Sequence, residues 1–336
     1  MQKLEEMANK FRGKRILVVG DMIADVYLNG RIARVSREAP VLVLEEIGKR
    51  VVAGGASNVV SNLAALGGDV YAVGVVGDDF YGEELKNILK KRQIHIGGIV
   101  TDKTRPTISK TRVIAGGRAT VNQQVVRIDR EDKDPLSKKL EAALIAKLDK
   151  ILPNVDGIVL SDYGSNTITK AVKTLVINYA GKHKIPNIVD SRYNISDYEG
   201  IGFVKQNDAE LAAAVGRDIT DMTSLIAAGS ELLRKLNSNG VLITRGEAGM
   251  SLFERGGAVH HIPVSDRSEV FDVSGAGDTC VAAFILGLTA NFTPVISARI
   301  ANYASGIAVR KLGTSTVSIE ELIEVLDAAQ FVNRGY

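Results

Sequence analysis

Short, continuous apolar runs alternate with stretches of helical periodicity through most of the chain. Arg15 to Gly20 (RILVVG) is one such run and ends on glycine; Val70 to Val76, Gly157 to Leu160, Ile185 to Asp190, Ile201 to Lys205 and Gly240 to Thr244 read the same way. Runs without polar alternation suit strands buried on both faces of a parallel sheet. Between them, Leu140, Leu144, Leu148 and Ile151 recur at spacings of 4, 4 and 3, one face of a helix, with Ser137 as its N-cap. Val59, Leu63 and Leu66 mark another helix, and Asp208 to Val215, Ser224 to Leu236, Ala276 to Thr289 and Pro294 to Leu312 predict more. The alternation predicts an α/β fold, a doubly wound and mostly parallel sheet flanked by helices.

Two stretches break this pattern. Leu28 to Val52 and Thr107 to Ile128 are rich in β-branched residues and show partial period-2 alternation, as at Val41, Val43 and Ile47. Gly116-Gly117 is a turn signal inside the second. Both read as excursions that pair into a small separate β-sheet, a lid or dimerisation element; edge strands of the main sheet are the alternative. Residues 1–28, 53–106 and 129–336 then form the α/β core, and 29–52 and 107–128 the β lid.

The length of 336 residues exceeds that of a usual single domain, which agrees with a core plus an appendage. Hydrophobic residues make up 45% and charged residues 24%, and the net charge of +3 gives no case for a nucleic-acid or membrane partner. The single cysteine, Cys280, excludes an intramolecular disulfide and reads as a small buried residue. Met1 to Lys14 is polar, and Val281 to Phe292 is broken by Gly287, Thr289 and Asn291, short of the ~20 residues that span a bilayer. The expectation is a soluble, cytoplasmic chain. His95, His183, His260 and His261 show no metal-ligand or catalytic spacing.

The sharpest chemical signal is Asp272-Val273-Ser274-Gly275-Ala276-Gly277-Asp278-Thr279, where a strand-like stretch from Glu269 to Val273 feeds an apolar helix. Glycines at a helix start let backbone N–H groups converge, and the helix dipole favours negative charge there. Gly275, Ala276 and Gly277 thus suit an anion hole for a transferring phosphoryl group. A carboxylate at once after them, Asp278, repels a phosphate but suits a base that takes the proton of an attacking hydroxyl. The spacing matches neither a Walker A loop nor the dinucleotide fingerprint. On this segment alone, a purely structural helix start accounts for it equally well.

Weaker signals accompany it. Gly54 and Gly55 precede a helix whose first turn carries Asn58, and Asp21 and Asp25 follow the first strand; such groups suit polyol hydroxyls at strand carboxyl ends. Asn207 and Glu210 open a helix, as a capping box or as a polar pair serving a water-coordinated Mg²⁺ beside ATP phosphates. Thr244-Arg245-Gly246 ends another strand, where nucleotide phosphates are met or the chain simply turns.

In their order along the chain, from about Lys14 to Leu326, these segments resemble the ribokinase-like (PfkB) family of sugar kinases. The resemblance implies a ribokinase-like fold and an ATP-dependent kinase. Asp278 would be the base, with Gly275, Ala276 and Gly277 as the anion hole. Asp21, Asp25, Gly54, Gly55 and Asn58 would hold the sugar. Asn207 and Glu210 would serve Mg²⁺ and phosphates, with Thr244, Gly246, Ser274 and Asn302 around the nucleotide. Asp272 would bind a monovalent cation, K⁺, with carbonyls near Gly313.

Within the family, Arg34 to Pro40, Asn122-Gln123-Gln124 with Arg127 and Asp129, Ser161-Asp162-Tyr163 and Lys311 to Thr316 resemble the kinases of D-glycero-β-D-manno-heptose 7-phosphate, which act on its anomeric hydroxyl. That resemblance adds Asn122 and Gln124 to the acceptor site, and the lid cations Arg37, Lys110 and Arg112 suit a substrate phosphate. Two positions depart from it: Gly164-Ser165-Asn166 stands where relatives carry Lys-Gly, and Asp190-Ser191-Arg192 where they read Asp-Pro-Lys. The His-x-Gly-His motif of a fused nucleotidyltransferase does not occur, so the expectation is the kinase alone. Its partners would be ATP and a small sugar or sugar phosphate, with a second copy joined through the lid. Kinases of other sugars or nucleosides, and a catalytically silent sensor on the same scaffold, are the rival readings.

Overall fold

The computed structural model describes residues 6, 9–116, 122–265 and 270–329. Its elements in chain order are β1 (Arg15–Gly20), β2 (Met22–Val35), β3 (Leu42–Gly55), α1 (Ala56–Ala65), β4 (Asp69–Gly77), α2 (Phe80–Lys91), β5 (His95–Asp102), β6 (Ile108–Gly116), β7 (Gln123–Arg130), α3 (Lys138–Ile151), β8 (Gly157–Asp162), α4 (Lys170–His183), β9 (Asn187–Ser191), β10 (Phe203–Asn207), α5 (Asp208–Val215), α6 (Met222–Leu236), β11 (Gly240–Thr244), β12 (Met250–Glu254), β13 (Val259–Ile262), α7 (Ala276–Thr289), α8 (Pro294–Ala308) and α9 (Ile319–Ala328).

Among the described residues the main sheet has nine strands in the order β13-β12-β11-β10-β9-β8-β1-β4-β5. All neighbours pair in parallel from β5 to β11, and β12 and β13 close the far edge antiparallel. The apolar runs are its central strands: Ile16 to Val19 and Ile158 to Leu160 are fully buried. One face packs on α1, α7 and α8 through residues such as Val59, Phe284 and Ile300; the other packs on α3, α4 and α6 through Leu144, Val176 and Leu232. The topology is the doubly wound one expected.

The chain runs from β1 to β4 on one side of the sheet and returns to β8 on the other. Strand order therefore reverses beside β1, where open α/β sheets place ligands. Asp21, Asp162, Asp190, Asn207 and Thr244 lie at or just past the carboxyl ends of adjacent strands there.

The two excursions pair as a separate four-stranded sheet, β3-β2-β6-β7, with β2 and β6 parallel and the outer pairs antiparallel. β2 joins this sheet at Met22, because its first residues are buried against the core and only its far half projects into solvent. Gly117 of the expected turn, and Glu269 of the expected strand, lie outside the described residues. Val270 to Val273 form no strand; the amides of Phe271 and Asp272 both donate to the Val309 carbonyl, at 2.9 and 3.1 Å, instead of to a ladder. The helix expected to reach Leu312 ends at Ala308. No helix among the described residues is long and apolar enough to cross a membrane.

Candidate active site

A cavity of about 1140 Å³ opens between the carboxyl ends of the main sheet and the lid. Asp278 lines it from the first turn of α7, with only 5% of its surface exposed. The turn that aims it depends on Gly275, the residue before the helix, which sits at φ 82° where side chains are disfavoured. Asn58 Nδ2 donates to Asp278 Oδ2 over 2.8 Å, and the Tyr163 hydroxyl donates to Oδ1 over 2.9 Å. Burial pushes the Asp278 carboxyl up to about 6, reinforced by the Asp190 charge and opposed by these two hydrogen bonds and by Lys205. Burial and the Asp278 charge hold the Tyr163 phenol well above its ordinary value, so it stays a donor.

Asn58 meets Asp278 because α1 packs on α7. Asn58 and Asn62, four apart, share one face of α1. Asn62 Oδ1 accepts from Thr279 Oγ1 at 3.0 Å and from the Val317 amide at 3.2 Å, which fixes the two helix starts side by side.

Under the start of α7 lies a buried ion pair. Lys205 Nζ and Asp190 Oδ2 are 3.0 Å apart, on strands β10 and β9 in direct register. Burial alone would lower the Lys205 pKa; Asp190 and Glu210 outweigh it and raise it, so the ammonium persists. A Cβ on Gly277 would come within 2.8 Å of that ammonium, so a side chain there would push on the ion pair.

At the lid end, Asp25 lines the cavity and is held by Arg112 Nη1 at 2.7 Å and Thr314 Oγ1 at 3.0 Å. Gly54 pairs with Ile23 on the neighbouring strand, and a Cβ there would overlap the Asp25 carboxylate at 2.4 Å, so its bareness makes room for Asp25. Gly55 lines the cavity at φ 53° as the residue before α1. Asp21 does not line it: fully buried, it accepts from the Tyr163 and Ser165 amides at 2.7 and 3.2 Å and braces the loop after β8. Lys110 and Arg112 line the cavity from β6; Asn122 and Gln124 are exposed at the start of the outer strand, away from its lining, and Arg37 is exposed too.

At the other end, Asn207 and Glu210 form a reciprocal capping box on α5, at 2.9 and 2.8 Å, and also line the cavity. Only Glu210 Oε2 is committed there; among the described residues Oε1 has no hydrogen bond. It is an oxygen donor of the kind a hard divalent cation takes, directly or through water. Burial raises the Glu210 pKa against the pull of Lys205. Thr244, Gly246, Ser274 and Asn302 line the same end, and Asn302 Nδ2 donates to the Pro263 carbonyl at 2.7 Å. Asp272 gives both oxygens to backbone N–H groups, of Ser274 at 2.8 Å and Gly313 at 2.9 Å, and so staples two loops beside the cavity. No cluster of three or more His, Cys, Asp or Glu that would hold a metal occurs among the described residues. Cys280 is buried, its thiol pushed up to about 12 by burial, and is not part of the lining.

Several side chains of the site were not among the candidates: Tyr163, Asp190, Arg192, Lys205 and Thr314. The readable signal for most was position, since Tyr163, Asp190 and Lys205 lie at or near carboxyl ends of strands. Their mutual contacts depend on strand order, which the sequence does not display.

The arrangement offers a buried carboxylate at a helix start with Gly275, Ala276 and Gly277 lining the cavity beside it; of the three expected anion-hole amides, that of Ala276 is already taken, donating to the Val273 carbonyl at 3.3 Å. Residues 14–322 match the model of the pfkB family carbohydrate kinases. A protein of Pelobacter propionicus named bifunctional protein HldE is 40% identical over 98% of this chain, and its namesake in Citrifermentans bemidjiense 43% identical over 96%. The chain spans 66% and 65% of the lengths of these two relatives. Among solved structures, phosphofructokinase-2 from Escherichia coli in complex with potassium superposes with a TM-score of 0.73 at 19% identity, covering 95% of this chain and 99% of that one. Arabidopsis thaliana ribokinase complexed with ribose and ATP gives 0.72 at 19%, covering 94% and 99%. These structures share the fold, mostly parallel sheet and small lid included. With the family model matched over nearly its whole length, the chain belongs to the pfkB family of carbohydrate kinases.

Proposed function

We propose that this chain transfers the γ-phosphoryl group of ATP to a hydroxyl of a sugar phosphate, the anomeric hydroxyl of D-glycero-β-D-manno-heptose 7-phosphate being the acceptor. One observation carries the reading: a buried carboxylate, Asp278, stands at a helix start inside a cavity that one lid-side acidic group, Asp25, also lines. The acceptor hydroxyl gives its proton to Asp278 while its oxygen bonds to the γ-phosphorus. The bond from that phosphorus to the β–γ bridging oxygen breaks, and ADP leaves. The amides of Gly275 and Gly277 stabilise the charge that spreads over the moving group.

Glu210, with Asn207, would serve Mg²⁺ through water; bound with ATP, the ion neutralises phosphate charge. Asp272 is the candidate for a K⁺ site, although both its oxygens already accept N–H groups. Asp25 and Gly55 would meet the sugar, and Thr244, Gly246, Ser274 and Asn302 the nucleotide; Gly54 and Asn58, expected at the sugar, are not part of the cavity lining, and the Asn58 amide instead holds Asp278 and meets Asn62. The heptose acceptor is supported by the Arg34 to Pro40 and Ser161 to Tyr163 segments and by the named relatives. The exposed apolar residues Ile47 and Ile128 of the lid support pairing with a second copy.

The test is ADP release from ATP over a panel of heptose 7-phosphate, its unphosphorylated sugar, ribose, fructose, fructose 6-phosphate and adenosine. The expected result is acceptor-dependent release with the highest kcat/KM for heptose 7-phosphate. Binding without turnover across the panel would instead make the chain a sensor.

A further inference from the structure

Four basic side chains line the acceptor end of the cavity: Lys110, Arg112, Arg127 and Arg192. Two are committed, Arg112 to Asp25 at 2.7 Å and Arg127 to Asp129 at 2.8 Å. Lys110 and Arg192 enter no ion pair among the described residues. Both lie against the Tyr163 ring, the Lys110 nitrogen 5.5 Å and the Arg192 guanidinium carbon 4.5 Å from its centroid.

Their surroundings separate them. Lys110 belongs to the lid strand β6, in register with Asp25 and Asp129, and faces the charges of Arg192, Asp129, Arg127 and Asp25. Arg192 belongs to the core. It follows β9 directly, and its amide donates to the Asp162 carbonyl at 3.1 Å, which fixes its backbone at the carboxyl end of the sheet. Its side chain is exposed, free to meet a ligand. The carboxylates of Asp190, Asp278 and Glu210 all act on it and favour its charged form. One of these groups is the base and another stands at the phosphate corner. A cation that faces both faces the path between them.

We propose that Arg192 is a catalytic residue that grips the transferring phosphoryl group in its transition state. This rests on the kinase reading above and adds a residue that the glycine segment does not contain. The chemistry suits arginine. The moving group carries charge spread over three equatorial oxygens, and a guanidinium offers parallel N–H donors in a rigid plane. Stacking on Tyr163 holds that plane before the ligand arrives, so little is spent on ordering it. The same ring therefore positions the base through its hydroxyl and the cation through its face.

The test compares the full-length wild type, Arg192→Ala and Arg192→Lys with ATP and the best acceptor of the panel. The exposed side chain predicts that both variants fold, checked by an unchanged thermal midpoint. For Arg192→Ala the expected result is a kcat lower by about 10³, the lower bound for loss of an arginine at such a site. Acceptor KM and ADP affinity stay within about threefold, while the complex of ADP, aluminium fluoride and acceptor weakens by a factor like that in kcat. Millimolar guanidinium restores part of the rate to Arg192→Ala, and Arg192→Lys, which keeps the charge but not the fork, falls between. A raised acceptor KM with kcat intact would make Arg192 a ground-state clamp and overturn the proposal, as would an unchanged affinity for the aluminium fluoride complex. A wild type without acceptor-dependent turnover sinks the kinase reading and this assignment together; full turnover in Arg192→Ala sinks this assignment alone.

Discussion

The Tyr163 hydroxyl donates to Asp278 Oδ1 over 2.9 Å, so the residue after β8 holds one oxygen of the base while Asn58 holds the other. A donor to a carboxylate favours its charged form. Burial raises the carboxyl to about 6 in spite of that help. The base works ionised, so kcat/KM should be full above about pH 6 and fall as the pH drops through it. Tyr163→Phe removes a donor and keeps the ring. Its acid limb should move to higher pH by roughly one pH unit, the equivalent of one hydrogen bond to a charged group. A pH profile of kcat/KM checks this, and a limb that stays in place would mean that the phenol only fills space.

Asp278→Asn separates chemistry from stability. Turnover should fall by about 10²–10⁴ for loss of a general base. Stability should move the other way. Because the folded carboxyl titrates near 6 and the ordinary value is 3.8, the native state keeps a proton that the unfolded chain gives up between those pH values. Stability is therefore lost as pH rises through that window, on the order of 3 kcal/mol at neutral pH. The variant should melt at or above the wild-type temperature at pH 7.5, and the difference should vanish below about pH 4. A variant markedly less stable than wild type at pH 7.5 would contradict a strained, buried base.

Gly275→Ala tests how the helix start sets the site. Gly275 has φ 82°, and an added Cβ would approach Asn58 Nδ2 to 2.6 Å. The backbone cost is about 1–2 kcal/mol, and Asn58 must leave the Asp278 oxygen. The expected outcome is a folded protein with a midpoint lower by several degrees and kcat reduced by at least about tenfold. Gly216→Ala serves as the control: it has a similar φ of 69° but nothing within 4 Å of the new Cβ, so it should lose stability and keep kcat.

Much of this was legible in the chain itself. The central strands announce themselves as unbroken apolar runs because both their faces are buried, and β1, β11, α5 and α7 begin and end where capping residues and glycines put them. The separate lid was visible because strands with one wet face alternate. Asp278 was legible because its glycines are adjacent in sequence. Tyr163, Asp190 and Lys205 were not, because what makes them a site is lateral: β8, β9 and β10 lie side by side, and register places Lys205 opposite Asp190. Asp21 shows the converse. An aspartate after the first strand reads as a ligand contact, but backbone amides from a loop well over a hundred residues away occupy it.

The Lys205–Asp190 pair should behave as one unit. Its side chains are 7% and 12% exposed, so removing either partner strands a charge in a poorly solvated place. Lys205→Met or Asp190→Asn alone should destabilise the fold by about 3–5 kcal/mol, whereas the double variant should lose less than the sum. Urea denaturation of the four proteins gives the coupling directly. Function should divide them differently. Lys205 lines the cavity beside Gly277, where phosphate charge is expected, so both variants that lack it should bind ADP more weakly by about tenfold or more. Asp190→Asn alone leaves the cation in place and should retain ADP affinity to within a few fold. Additive stability losses with equal ADP affinities would make the pair two separate surface-like charges, which their burial and 3.0 Å separation argue against.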